Sequence, residues 1–284
     1  MKILVLGASG MLGNAVFRFL AKSPCHEVFA SVRSFEALRL LPNNLHKNVI
    51  VRVDVENLDC LTRLFDTIHP DMVINCIGLV KQVAAASDPL SAILINALYP
   101  HRLARLCDVA GSRLVHMSTD CVFSGAKGMY VESDYADANE LYGRSKYLGE
   151  VDYPHTITLR TSIIGHELNG ARSLVNWFLA QKDLVKGYKR VVFSGLPTVE
   201  IARVIRDYII PHPELHGVYH VSAEPINKFD LLTMVAQTYE KNVEVIADDQ
   251  FSLDRSLDST RFRQATNFSP KPWRDLLQTM RDFS

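Results

Sequence analysis

The chain carries only five cysteines, Cys25, Cys60, Cys76, Cys107 and Cys121, and no two of them stand in Cys-x-x-Cys spacing. The odd count and the missing pair exclude a zinc ribbon or a thioredoxin-type redox motif and lead us to expect a reduced compartment. Neither sign of charge is in excess: Lys plus Arg and Asp plus Glu are 31 each. Zero net charge provides no general attraction to nucleic acid or to an anionic membrane. Uninterrupted apolar runs are short. The opening run over residues 1–6 stops at Gly7, far below the roughly 18 residues of a membrane span and too short for a signal-peptide core. The expected location is therefore cytoplasmic, without membrane contact. Repeats, low-complexity tracts and flexible linkers are also lacking. None of the 10 histidines stands in metal-ligand spacing with another histidine or an acidic cluster.

The 284 residues are 48% hydrophobic, enough to bury a sizeable core. In the first half, short apolar runs (3–6, 27–32, 49–55, 72–77, 114–117, 156–161) alternate with helical periodicity (11–22, 58–68, 90–110, 142–150). Pro100 should kink or split the 90–110 helix near Tyr99. This alternation predicts right-handed βαβ crossovers, hence an α/β, Rossmann-like doubly wound parallel sheet with helices on both faces. After Gly165 the rhythm loosens. Helices over 174–181, 199–208 and 228–240 mix with strands over 190–193, 218–221 and 243–246. We read residues 1–165 as a dinucleotide-binding domain. Residues 166–284 then form a smaller mixed α/β substrate lobe, interleaved with and packed on the first, and the cleft between them is the expected ligand site.

Gly7-Ala8-Ser9-Gly10-Met11-Leu12-Gly13 falls where the first strand turns into the first helix. Gly7 permits the tight turn, Gly10 lets backbone approach a pyrophosphate, and Gly13 packs helix on strand. The backbone N–H groups around Ser9, Gly10, Met11 and Leu12, together with the helix dipole, would hold the phosphates. The second strand ends Ser31-Val32-Arg33, without the acid that bonds an NAD ribose; Arg33 suits a 2′-phosphate instead. The expected cofactor is therefore NADP(H) in preference to NAD(H), with a solvated surface arginine as the plainer alternative. Asp54 and Val55 follow the third strand. Asp54 fits the adenine amino group or, equally, a helix cap. Cys76, Ile77 and Gly78 end the fourth strand on the expected cofactor path.

Tyr142 and Lys146 lie four residues apart, one helical turn on one face. A nearby ammonium would lower the phenol pKa, and such a tyrosine can exchange a proton with a carbonyl oxygen. Lys146 can also bond the nicotinamide ribose. Ser118-Thr119-Asp120 follows a strand at the ligand-binding edge of the sheet, so Thr119 can orient a carbonyl.

These pieces, with Asn75–Gly78 and Asn96, resemble the extended short-chain dehydrogenases/reductases over nearly the whole chain. The dTDP-4-dehydrorhamnose reductase branch is the most similar, through Ser118-Thr119-Asp120-Cys121-Val122-Phe123, Leu159-Arg160-Thr161-Ser162, Gly195-Leu196-Pro197-Thr198, Arg255-Ser256-Leu257-Asp258 and Pro272-Trp273-Arg274. The resemblance implies Thr119, Tyr142 and Lys146 as the catalytic set. It implies NADPH-dependent reduction of a nucleotide-diphosphate-linked 4-keto-6-deoxy sugar for cell-surface polysaccharide precursors. Cys121 replaces the glutamate of the related 4,6-dehydratases, which argues for reduction over elimination. Ile163 stands where rhamnose reductases tend to carry tryptophan, so the sugar pocket differs and a 2-acetamido sugar on UDP is an alternative. Asn14 and Ala15 occupy the place of a glutamate in magnesium-dependent members, so no metal is expected.

Lys81 and Arg255 are candidates for the substrate diphosphate, with solvation the alternative for Lys81. Asn176 and Trp177 open a second-lobe helix. Trp177 could stack on the base, or lie in the core. By analogy of fold, the helices after the fourth and fifth strands suggest a homodimer. An epimerase or dehydratase of the same fold, and a non-catalytic NADP-binding regulatory subunit, are the competing functions.

Overall fold

The computed structural model describes residues 1–80 and 87–284. The strands are β1 (Lys2–Leu6), β2 (Glu27–Ser31), β3 (Val49–Ile50), β4 (Met72–Asn75), β5 (Arg113–Thr119), β6 (Thr156–Thr161), β7 (Ile163–Ile164), β8 (Asp183–Phe193), β9 (Leu196–Pro197), β10 (Gly217–His220), β11 (Ile226–Asn227) and β12 (Val243–Asp254). Among the described residues, seven parallel strands form one sheet in the order β10-β6-β5-β4-β1-β2-β3. The chain builds outward from β1 to β3, then returns to the other side of β1 with β4. This reversal opens a crevice at the carboxyl ends of β1 and β4.

The apolar runs are strands because they are buried on both faces. Along β1 the pleat sends Ile3 and Val5 into one core and Leu4 and Leu6 into the other. The first core takes Val16 and Phe17 of the helix Met11–Leu20. The second takes Leu61, Leu64 and Phe65 of the helix Leu58–Ile68, and Leu103 and Cys107 of the helix Tyr99–Val109. The third strand is shorter than its apolar pattern predicts, ending at Ile50, because Arg52 adopts a left-handed φ of 62° that breaks the extended path.

At Pro100 the helix changes its winding without a break in the chain of turns. The segment 89–109 winds on through a wide turn, Ile93–Leu98, before the helix Tyr99–Val109. Proline supplies no N–H to the ladder, and the wide turn ends just before it, with Tyr99 N donating to Leu94 O. The Asn96 carbonyl of that turn meets Gly149, where a Cβ would sit 1.9 Å from it.

The smaller lobe is a sheet in the order β11-β8-β12, covered by the helix Lys228–Thr238. The strand expected over 218–221 lies instead at the edge of the large sheet as β10, beside β6. The helix Thr198–Val204, extended by a wide turn Ile205–Ile209, buries Ile201 and Ile205 in the same core as Val16 and Phe17. Beyond β12 the chain touches the first lobe again. Tyr130 N donates to Ser256 O at 2.9 Å and Asp258 N to Tyr130 O at 2.8 Å. Among the described residues no helix is long and apolar enough to cross a membrane.

The Gly149 contact yields a direct test. Gly149→Ala should lower unfolding stability by about 3 kcal/mol, the upper end for overpacking. Gly111→Ala, where a Cβ meets nothing within 4 Å but φ is +67°, should lower it by only about 1 kcal/mol. Urea midpoints of the two variants check the ranking.

Candidate active site

The strand order sets the sequence-predicted residues in one row. At the carboxyl edge stand, in spatial order, Asp54 beyond β3, Arg33 beyond β2, the Gly7 turn after β1, Cys76–Gly78 after β4, and Thr119 at the end of β5. Gly7 has φ +86°, and Gly10 N donates to Gly7 O at 2.9 Å. A Cβ on Gly13 would lie 2.2 Å from Gly7 O, so the helix sits directly on the turn. Leu12 is buried in the core, which leaves its backbone N–H as the group it can offer a phosphate. This bare-backbone cradle fits a dinucleotide pyrophosphate. Val55 is a core residue packed with Leu4 and Leu6. Asp54 Oδ1 accepts from Glu56 N at 3.0 Å, while Asn57 caps the next helix by accepting from Cys60 N at 3.0 Å. Arg33 is exposed, and Arg52 beside it on the neighbouring strand end lies 5.2 Å over the Phe35 ring.

Past β4, Asn75 turns inward, its amide 3.1 Å from His116 Nδ1. A Cβ on Gly78 would lie 3.4 Å from Asn96 Oδ1 and 3.7 Å from Lys146 Nζ. Asn96 is the bracket of this region. Its Oδ1 accepts from Leu79 N at 2.8 Å, and its Nδ2 donates to Leu79 O at 3.1 Å and Ser145 Oγ at 3.2 Å. It thereby ties the β4 end to the helix Leu141–Leu148, which bears Tyr142 and Lys146.

Thr119 lies near enough to Tyr142 to favour its phenolate form. Thr119 Oγ1 accepts from Cys121 N at 3.1 Å and donates to Asp120 Oδ1 at 3.2 Å. Lys146 Nζ donates to Met117 O at 2.7 Å and is 4% exposed. The electrostatics differ from the sequence expectation. Burial, reinforced by Cys121 and Asp120, pushes the Tyr142 phenol above its ordinary value, so desolvation outweighs any help from an ammonium. Burial likewise pulls Lys146 down to about 8, against the opposing charge of Glu150. The resting site thus holds a protonated phenol beside a lysine that titrates near neutrality.

The second lobe contributes Arg255 and Lys228. Arg255 Nε donates to Phe123 O at 2.8 Å, its Nη1 to Cys121 Sγ at 3.5 Å, and its Nη2 stands 3.6 Å from Glu140 Oε1. The arginine therefore braces the loop after β5. Lys228 is not among the residues that the sequence pattern points to. Its Nζ lies 4.0 Å over the Phe193 ring, and burial pulls it to about 8 while Asp120 opposes. The available signal was its place at a helix N-terminus, where the macrodipole disfavours a cation. Asn176 does not join this cluster: it accepts from Glu167 N at 3.1 Å and donates to Gly170 O at 3.3 Å, closing its own loop. Trp177 is 39% exposed, whereas Trp273 takes the core position. Lys81 lies outside the described residues.

Burial also pushes the thiols of Cys76, Cys107 and Cys121 up to about 12, which disqualifies Cys121 as a base near neutrality. At pH 8 iodoacetamide should modify exposed Cys25 at least about tenfold faster than Cys121, because only the thiolate reacts. Peptide mass spectrometry over time reads the order.

A family model described as the RmlD substrate binding domain matches residues 1–283. A dTDP-4-dehydrorhamnose reductase from Aggregatibacter actinomycetemcomitans is 25% identical over 100% of this chain and 99% of its own length. The spore coat polysaccharide biosynthesis protein SpsK of Bacillus subtilis is 26% identical over 98% of this chain and 95% of its own. Among solved structures, the dTDP-4-dehydrorhamnose reductase of Bacillus anthracis in complex with NADP superposes with a TM-score of 0.80 at 18% identity, covering 100% of this chain and 99% of that one. With a full-length family match, full-length relatives and the same fold, this chain belongs to the dTDP-4-dehydrorhamnose reductase family of extended short-chain dehydrogenases/reductases.

Proposed function

We propose that this protein reduces the keto group of a nucleotide-diphosphate-linked 4-keto-6-deoxy sugar with NADPH, for a cell-surface polysaccharide precursor. The observation that carries this reading is the meeting of Thr119, Tyr142 and Lys146 beside Gly78, at the end of the row that starts from the Gly7 turn. When bound, the nicotinamide supplies a hydride. The cradle around Gly7, Ser9, Gly10, Met11 and Leu12 would hold its pyrophosphate. Arg33, with Arg52 next to it, would take a 2′-phosphate by charge-assisted bonds.

Thr119 holds the substrate carbonyl toward Tyr142. Burial keeps the Tyr142 phenol protonated, so it starts as an acid and delivers its proton to the carbonyl oxygen as negative charge develops there. Lys146 as ammonium then stabilises the phenolate that remains. Cys121 stands where an elimination would need a carboxylate, and its protonated thiol favours simple reduction. The name of the Aggregatibacter relative supports dTDP-4-dehydrorhamnose as the first substrate to try, and Ile163 in place of an aromatic makes a UDP-linked 2-acetamido sugar the second. Residues 1–165 serve the cofactor and 166–284 the sugar nucleotide, with β10 interleaved into the first unit. Exposed Leu90, Ile93, Leu98 and Leu148 on the helices after β4 and β5 support a homodimer.

The test follows NADPH absorbance against a panel of nucleotide-linked 4-keto-6-deoxy sugars made in place by dehydratases. Oxidation with one member is expected, and Tyr142→Phe should lower kcat at least ~100-fold. Normal turnover in that variant removes the tyrosine from the mechanism. Tight NADPH binding with silence across the panel overturns the reductase reading in favour of regulatory binding. Arg33→Ala should weaken NADPH at least about tenfold, the worth of one charged hydrogen bond, and leave NADH unchanged. Titration with both nucleotides measures this, and a wild-type protein that binds NADH more tightly refutes the preference.

A further inference from the structure

Lys228 opens the helix Lys228–Thr238, directly after β11. The positive end of the helix dipole disfavours a further positive charge there. The residue is half-buried, with Nζ 4.0 Å over the Phe193 ring. Among the described residues no acceptor takes a hydrogen bond from this ammonium, and no carboxylate stands within ion-pair distance of it; Asp120 acts on it from farther off. Other cations of the same sheet are matched within the chain. Lys186 pairs with Asp248 at 3.1 Å, and Arg255 donates to Phe123 O at 2.8 Å. A cation drawn out of water without an anion is costly, so Lys228 is placed for a partner that the chain does not supply.

The ring beneath Lys228 reaches the catalytic edge of the large sheet. Thr119 and Thr161 are paired at the ends of β5 and β6, and Ser162 follows Thr161. A Cβ on Gly195 would meet both Ser162 O and Phe193 Cζ, so the tip of the ring sits beside the residue after Thr161. Arg255 comes to the same strand end. Val192 pairs with Asn227 on one side of β8 and with Asp254 on the other. The residues that follow these partners, Lys228 and Arg255, thus flank the end of β8. Arg255 Nη1 reaches Cys121 Sγ at 3.5 Å, two residues past Thr119.

Order along the edge decides which anion Lys228 meets. The row from Asp54 to Gly78, read above for the cofactor, lies on the β4 side of Thr119, and Lys228 lies on the β6 side. The Gly7 turn, the place for the dinucleotide pyrophosphate, is three strands away from β6. We propose that the Lys228 ammonium binds the diphosphate of the sugar nucleotide, on the far side of Thr119 from the cofactor. The inference rests on the substrate class given above. A phosphoryl oxygen accepts a charge-assisted bond from the ammonium. The diphosphate does not change as the carbonyl is reduced, so this contact is made equally in ground and transition states. It lowers KM and leaves kcat nearly unchanged.

The probes are dTDP and UDP, titrated calorimetrically into protein saturated with NADPH, with thymidine and uridine as competing nucleosides. Lys228→Met keeps an unbranched stem over Phe193 and removes the charge. It should weaken both diphosphates at least about tenfold, the worth of one charged hydrogen bond. The nucleosides and NADPH should bind as before, and Lys228→Arg should restore most of the loss. With the sugar that turns over, KM should rise by the same factor while kcat stays within about twofold. If Lys228→Met also loses NADPH, Lys228→Gln is judged by the same ratio of diphosphate to nucleoside affinity. Diphosphate binding that is unchanged without the ammonium overturns the proposal. So does an equal loss for the nucleosides, a fall in kcat at constant KM, or a starting protein that binds neither diphosphate. Failure of the reductase reading would instead appear as silence across the sugar panel with the Lys228-dependent diphosphate binding intact.

Discussion

The site depends on how closely the helix Leu141–Leu148 can approach its neighbours. At one end a Cβ on Gly143 would lie 2.1 Å from Cys121 O; just past the other, a Cβ on Gly149 would lie 1.9 Å from Asn96 O. Two glycines thus let the helix seat between the loop after β5 and the wide turn of the 89–109 helix. Any side chain at either point would lift Tyr142 away from Thr119, and Lys146 away from Met117 O.

Around that seat the protein keeps polar groups in a dry setting and controls which are charged. Burial holds the Tyr142 phenol and the Cys121 and Cys76 thiols in their protonated forms and leaves His116 neutral. Lys146 is the group left near its switching point, at about 8. A phenol that begins protonated suits the reductive direction, because the carbonyl oxygen needs a proton as hydride arrives. The chemistry follows from desolvation more than from an ion pair between tyrosine and lysine.

The second lobe reaches the same place from the opposite side. Arg255 braces Phe123 O and Cys121, and Lys228 confronts Asp120 from over the Phe193 ring. Both come from segments distant in sequence from the first lobe, and the bridge between Tyr130 and Leu257 brings the first of them in.

Local chemistry made much of this legible without coordinates. Alternating apolar runs and helical periods specify buried parallel strands, and glycines at 7, 10 and 13 specify a tight strand-to-helix turn, because both depend on near neighbours in the chain. The Tyr142 and Lys146 pair is legible for the same reason, being one helical turn. What the chain order could not reveal is every effect that depends on distant partners. Val49–Ile50 is cut short by the backbone at Arg52, residues 217–220 return to the first sheet, Asn176 closes a loop, and Glu150 meets Ser118 and Arg160 only once β5 and β6 lie side by side. The direction of the Tyr142 shift belongs to this group too, since desolvation is set by everything packed around a residue. Sequence by itself determined the elements and the Tyr142 and Lys146 pair; tertiary packing decided which groups share a low-dielectric space, and hence which of them carry charge.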